Sequence, residues 1–203
     1  MNQRAPNVGI LAYGSLIDDP GNELAPLISQ IISDVTTPFP VEFARKSSSR
    51  GYAPTLVPHP DGAQVRAAIL VVRASLAQAE DMLWRRETRT NDVTMRYPGD
   101  RPHLLNAVQV KRVNDFAGID HVLYTQIGAN IAPLTPEHLA KLAVESVKTA
   151  PHGKDGISYL MDARNNGIST PLSSAYEAEI LQLAKPDTLQ RALVSLRAMN
   201  SAD

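Results

Sequence analysis

The chain has 203 residues, 43% of them hydrophobic, which is enough for one domain with a substantial core and argues against disorder. Twenty basic and twenty-one acidic residues give a formal net charge of −1, so charge gives no reason to expect nucleic acid or an anionic membrane as a partner. Cysteine is absent, which excludes disulfides, thiolate metal sites and cysteine nucleophiles.

The first predicted element is a buried strand that ends in a tight turn. Residues 8–12 are apolar without alternation, as expected of a strand covered on both faces. Gly14 lets the backbone adopt a conformation, or approach a ligand, in a way that a side chain would forbid. The turn therefore offers backbone N–H groups to a ligand, and the simpler alternative is that Gly14 and Ser15 only end the strand.

The next apolar stripe predicts an amphipathic helix within residues 22–35. Its apolar residues, spaced three and four apart, are Leu24, Leu27, Ile28, Ile31 and Ile32. Pro26 suits an early helical position, so the ordered helix is expected to begin at about Ala25. If its N-terminus lies beside Gly14, the free N–H groups and the positive end of the helix favour a carboxylate there.

Three strands and a second helix follow in the prediction. The strands are 41–45, 54–57 and 65–72, and the prolines at 54 and 58 place the second of them at a sheet edge. Ser75 opens the helix, and Gln78 three residues later completes a capping-box pattern.

Glu87 is the most informative residue of this helix. At 100° per residue it falls close to the apolar stripe that runs through residues 76–83. A carboxyl buried in the last turn is expected to have a raised pKa, because of desolvation and the negative end of the helix, and this makes Glu87 a candidate proton carrier. The alternative is a solvent-exposed Glu87 paired with a neighbouring arginine.

The rest of the chain predicts a loop, two strands and then four helices. The loop spans 90–101, the strands span 104–113 and 121–127, and the helices begin at 135, 156, 174 and 186. Because strands come first and helices last, the order predicts an α+β fold.

Several kinds of site find no support in the pattern. The five histidines show no two-ligand spacing on a predicted helix, so no metal site is predicted. Ser15 does not stand in a Gly-x-Ser-x-Gly elbow, and the serines at 47–49 have no acid–base partner nearby, which disfavours a serine triad. The Gly14 turn lacks the Gly-rich signatures of phosphate sites.

Two further features of the chain concern its surface and its compartment. Arginines are frequent around the end of the second helix, at positions 85, 86, 89, 96 and 101. They predict a solvated basic rim, or else one of them meets an anionic substrate. The apolar runs are too short to cross a bilayer and no signal core precedes them, so we expect a soluble, cytoplasmic protein that does not bind membranes.

At these residues the chain resembles the gamma-glutamylcyclotransferase-like superfamily, which includes the ChaC, AIG2-like and gamma-glutamylamine cyclotransferase branches. The resemblance rests on Tyr-Gly-Ser-Leu at 13–16, on the strand 65–72 and on a helix ending in Arg86-Glu87. Many members have Asn between the Ser and the Leu, whereas Leu16 follows Ser15 directly here, as in ChaC. Thr88 stands where the family usually has Gly.

The resemblance implies a fold and a division of the chain. The fold is a gamma-glutamylcyclotransferase-like small mixed β-barrel with flanking helices, spanning residues 1–130. The C-terminal helical extension, residues 131–203, has no counterpart in the small members of the family and is expected to pack on the same domain. Within this extension, the segments 155–160 and 167–172 either cover the cleft or only bury the barrel.

The resemblance also implies an activity and its residues. Tyr13, Gly14, Ser15 and Leu16 bind the glutamyl moiety through backbone groups, and Glu87 is the acid–base catalyst. The reaction cyclises a small gamma-glutamyl amide or peptide to 5-oxoproline and releases the amine, without a cofactor or a metal. The alternatives are a non-catalytic module of the same fold that binds a ligand or a protein, and an amidase that releases free glutamate. The leaving amine and the oligomeric state are not predicted.

Overall fold

A computed structural model describes residues 6–99, 104 and 106–200. The chain has a mixed α+β architecture, as predicted, and divides into two compact units. The first unit contains the residues up to 37 together with 66–128, and the second contains 38–65 together with the residues from 129 onward. In chain order the strands and helices are β1 (Val8–Ala12), β2 (Ile28–Thr36), β3 (Val41–Ser47), β4 (Ala53–Pro58), β5 (Arg66–Val72), α1 (Leu76–Thr88), β6 (Gln109–Phe116), β7 (Ile119–Gln126), α2 (Pro136–Thr149), α3 (Gly156–Asn165), α4 (Ser173–Ala184) and α5 (Leu189–Asn200).

The first unit is a five-stranded sheet in the order β2-β5-β1-β7-β6, with α1 packed against it. The central strand β1 runs antiparallel to β5 and parallel to β7. All five of its residues are buried, which confirms the prediction made from their unalternated apolar run. Ile10 of β1 and Leu83 of α1 belong to one fully buried cluster, so the core fixes the helix on the strand that leads into the turn.

The sheet is open in the described part of the chain. Strands β2 and β6 lie at its two edges, and each has a single neighbour. Closing a barrel requires the two edge strands to pair with each other. The predicted closed barrel is therefore not seen among these residues, while the α+β class is confirmed.

The amphipathic helix predicted within 22–35 is wrong. A short 3₁₀ turn, Ala25–Leu27, is followed directly by strand β2. The pairing of β2 with β5 shifts register twice, between Ile28 and Gln30 and between Ile32 and Val35. Each bulge adds a residue to the strand, so the partly buried positions fall three and four apart, as they would on a helix. The expected helix N-terminus beside Gly14 is absent for the same reason.

The second unit combines the β3-β4 hairpin with helices α2 to α5. The four helices confirm the helical pattern predicted after residue 135, although α5 begins at Leu189, later than Pro186. Residues 38–65 belong with these helices, whereas the predicted domain 1–130 includes them. The division at 130/131 into a barrel and an extension stays a prediction.

Glu42 of β3 is a fully buried carboxylate in this unit. Its Oε1 accepts hydrogen bonds from the Phe43 N–H at 2.8 Å and the Thr170 hydroxyl at 2.5 Å. Its Oε2 accepts one from the N–H of Leu172, the residue that precedes α4, at 3.2 Å. A carboxylate at a helix N-terminus meets free N–H groups and the positive end of the helix, so Glu42 ties β3 to α4.

Tyr176 of α4 is also fully buried, and its ring packs edge-on against Phe43 at 5.4 Å between centroids. Its hydroxyl has no hydrogen-bond partner within the described part of the chain. A buried hydroxyl without a partner costs about 1–3 kcal/mol. Burial also raises the pKa of Tyr176 far above its ordinary value.

We therefore expect Tyr176→Phe to stabilise the protein by about 1 kcal/mol at neutral pH. Above pH ~10 the unfolded Tyr176 ionises while the folded phenol stays protonated, so wild-type stability falls with rising pH and the advantage of the Phe variant grows. Urea unfolding at pH 7 and at pH 10.5 or so measures both effects. A variant no more stable than wild type at either pH contradicts the prediction.

No helix in the part of the chain that the structure describes has the length and apolar character needed to cross a bilayer.

Candidate functional site

The turn after β1 has the tight geometry that the sequence predicts. Gly14 has φ +70°, a left-handed conformation that favours glycine, and it begins a 3₁₀ turn over Gly14–Leu16. The Ile17 N–H donates to the Gly14 carbonyl at 3.2 Å, and the Asp19 N–H donates to the Ser15 carbonyl at 2.9 Å. The leading N–H groups of such a turn find no acceptor inside the turn itself.

The side chains on either side of Gly14 fix this turn to the sheet and the core. The Tyr13 hydroxyl donates to the Thr125 carbonyl on β7 at 3.1 Å. Leu16 is buried in the cluster shared by β1 and α1. The turn is thus anchored on both sides of Gly14 and Ser15, and the Ser15 side chain remains partly exposed.

Helix α1 begins as predicted and carries Glu87 in its last turn. Ser75 and Gln78 form both hydrogen bonds of the capping box. Glu87 is 25% exposed, so it lies neither in bulk solvent nor in the core. One of its carboxylate oxygens, Oε1, accepts a hydrogen bond from Nη1 of Arg86, an ion pair with a neighbouring arginine as in the predicted alternative.

Arg86 connects Glu87 to the turn. Its Nη2 donates to the Asp19 carbonyl at 2.5 Å and lies 3.5 Å from the Ser15 hydroxyl oxygen. Since Nη1 of the same guanidinium binds Glu87, that carboxylate and Ser15 lie on two sides of one planar group. The candidate acid–base residue and the candidate binding turn are therefore brought together within the first unit.

Arg85 contradicts the prediction of a solvated basic rim. Its side chain is only 4% exposed, and its Nε and Nη2 donate to the two Glu23 carboxylate oxygens at 2.9 and 2.6 Å. Its Nη1 donates to the Met95 carbonyl at 2.6 Å. The bond to Glu23 raises the pKa of Arg85, which keeps this buried side chain charged.

The segment after α1 is a loop, as predicted for 90–101, although its end at 100–101 lies outside the described residues, and this loop packs on α1. Asp81 of α1 accepts from the Tyr97 N–H at 2.8 Å and from Arg96 at 2.9 Å. The Tyr97 ring lies 6.4 Å from that of Trp84 between centroids. Arg96 is 70% exposed, so it fits the predicted rim, while Arg101 lies outside the described residues.

Two of the histidines take part in contacts near them in the chain. His121 bonds Asn114 at 2.9 Å and His138 bonds the Pro133 carbonyl at 2.8 Å. In the ranges 6–99 and 106–200, together with residue 104, no group of three or more His, Cys, Asp or Glu side chains is arranged to hold a metal ion.

Comparison with protein-family models, with curated proteins and with solved structures finds no match for this chain. Function is therefore inferred from the chemistry of the site itself.

Proposed function

We propose that the chain is a gamma-glutamylcyclotransferase-like enzyme that cyclises a gamma-glutamyl amide or peptide to 5-oxoproline and releases the amine. Glu87 is its general acid and base, and Tyr13, Gly14, Ser15 and Leu16 form its substrate-binding turn. The observation that carries the proposal is that Glu87 and Ser15 contact the same Arg86 guanidinium. An acid–base group and a backbone binding turn at one place are the parts that this reaction needs.

The chemistry requires positioning more than it requires a nucleophile from the protein. The substrate's α-ammonium loses a proton to Glu87, and the freed amine attacks the γ-carbonyl carbon to form the five-membered ring. The bond between that carbon and the leaving nitrogen then breaks, and Glu87 returns the proton to the departing amine. The ring nitrogen gives up its second proton to the released amine, so the products are the neutral lactam of 5-oxoproline and an ammonium ion. N–H groups at Gly14 and Ser15 hold the glutamyl group and the oxyanion that develops at the carbonyl.

The order of elements in the first unit supports a related fold. The β1 strand, the Tyr13–Leu16 turn and the helix that carries Glu87 in its last turn come in the order that the resemblance implies. We propose that residues 1–130 form a gamma-glutamylcyclotransferase-like domain and that the helical residues 131–203 are an extension of it. We further propose that the protein acts in the cytoplasm on a small gamma-glutamyl compound.

The direct test is product analysis. Purified protein is incubated with a panel of gamma-glutamyl amides, gamma-glutamyl amines and gamma-glutamyl peptides, and 5-oxoproline and free glutamate are quantified separately. Cyclisation yields 5-oxoproline and an equal amount of amine. Free glutamate in place of 5-oxoproline indicates an amidase, and no turnover of any compound contradicts an enzymatic role.

A second candidate function is a non-catalytic module that binds an amino-acid-like ligand. It is favoured by the Arg86 pair, which already occupies one oxygen of Glu87. Such a module is stabilised against unfolding by ligand without turning it over, and that stabilisation is unchanged in Glu87→Gln. Thermal shifts measured with the same panel separate the two functions.

A further inference from the structure

The contact between Arg86 and Glu87 is unusual for two consecutive residues of a helix. Consecutive side chains of an α-helix point about 100° apart and do not face each other. Arg86 and Glu87 nevertheless form an ion pair. Both side chains must lean toward a common point to meet, and that point lies beside the Gly14–Leu16 turn, where Arg86 also reaches Ser15.

The loop that follows the Gly14–Leu16 turn holds the Arg86 side chain at its aliphatic stem and at its guanidinium group. Gly21 has φ +84°, and a Cβ built on it would lie 2.9 Å from Cγ of Arg86, so the stem packs where a larger residue would stand. At the other end, the Asp19 carbonyl accepts from Nη2 at 2.5 Å. With 17% of its side chain exposed, Arg86 is held in one place by the loop between residues 15 and 21.

We infer that Arg86 is a positioning residue that holds the Glu87 carboxylate at the substrate-binding turn, an inference that rests on the proposed function. The two terminal nitrogens of its planar guanidinium bind different groups. Nη1 donates to Glu87, and Nη2 contacts the Asp19 carbonyl and Ser15. Both nitrogens bind groups of the protein, so Arg86 acts through Glu87 and not on the substrate.

The kinetic test is Arg86→Met, which keeps the packing of the stem and removes the fork. We expect kcat to fall between about 10-fold and about 10²-fold with KM changed by less than about twofold, because a displaced base impairs the reaction more than it impairs binding. Arg89→Met is the matched control, since Arg89 is an exposed arginine at the end of the same helix. We expect it to leave both constants unchanged. Arg86→Lys should restore only part of kcat, because one ammonium cannot replace a planar fork.

A double variant tests whether Arg86 acts through Glu87. If it does, Arg86→Met combined with Glu87→Gln has a rate within about twofold of Glu87→Gln alone. If the loss of rate in the double variant is instead the product of the two single losses, the inference is overturned. A rise in KM with unchanged kcat in Arg86→Met also overturns it, because that result assigns Arg86 to binding the substrate's own carboxylate.

The same variants distinguish a failure of this inference from a failure of the proposed function. If the wild-type protein makes no 5-oxoproline, the proposed function fails, and urea unfolding of the same three variants still tests the contact. A positioning contact predicts that the fall in the urea midpoint of the double variant is smaller than the two single falls combined. Additive falls overturn the inference whatever the activity.

Discussion

Glu87→Gln is expected to keep the fold and to lower the rate of 5-oxoproline formation by about 10²-fold or more. The amide has nearly the same shape as the carboxylate but cannot accept a proton from the substrate's ammonium or return one to the leaving amine. Glu87 is partly exposed at the end of α1, so little core packing depends on it. Steady-state rates at saturating substrate measure the loss, and far-UV circular dichroism checks the fold.

Glu80→Gln is the matched control for this experiment. Glu80 lies two turns earlier on the same side of α1, about 10 Å along the axis from Glu87. The same chemical change there should leave the rate as it is. Equal activity in wild type and Glu87→Gln would assign the proton transfer to another group, and equal losses in both variants would indicate a general effect on the helix.

The turn and the start of α1 were predictable because their signals are local. An unalternated apolar run followed by a glycine predicts β1 and its turn, and a serine followed by Gln78 predicts the capped start of α1. Both depend on residues within a few positions of each other. The placement of Glu87 near the apolar side of α1 follows from helix geometry alone.

The segment after the turn was predicted wrongly because periodicity does not distinguish a bulged strand from a helix. Two bulges in β2 give its partly buried residues a spacing of four and three. The bulges are set by pairing with β5, which lies about forty residues later in the chain. Nothing local to residues 22–35 carries that information, although the isoleucines of this segment favour a strand.

Arg85 and Arg86 were not separable by sequence. Both lie at the end of α1, yet Arg85 is buried and pairs with Glu23, whereas Arg86 contacts Ser15 and Glu87. Apart from Glu87, the side chains that they bind, Glu23 and Ser15, lie more than sixty residues earlier in the chain. Consecutive side chains of a helix do not face each other, so the adjacency of Arg86 and Glu87 in the sequence did not predict their contact.

Glu42→Gln is expected to destabilise the second unit by about 2–3 kcal/mol, the largest stability effect that we predict for a single isosteric change. Three donors converge on the Glu42 carboxylate, two of them backbone N–H groups of Phe43 and Leu172 that cannot reverse their direction. An amide supplies one oxygen and one NH₂, so at least one of these N–H groups then faces another donor. The change also removes the negative charge at the N-terminus of α4.

Urea unfolding followed by circular dichroism at 222 nm suits this experiment, because four of the five helices in the described part of the chain belong to the second unit. Glu145→Gln on the exposed side of α2 is the matched control and should change stability by less than about 0.5 kcal/mol. Thr170→Val removes one donor to Glu42, so its effect should shrink in the Glu42→Gln background. In Glu42→Gln the new amide leaves a backbone N–H group without an acceptor, whereas Glu145→Gln makes no such change. An equal loss of stability in both variants would therefore mean that the buried carboxylate does not hold α4 to β3.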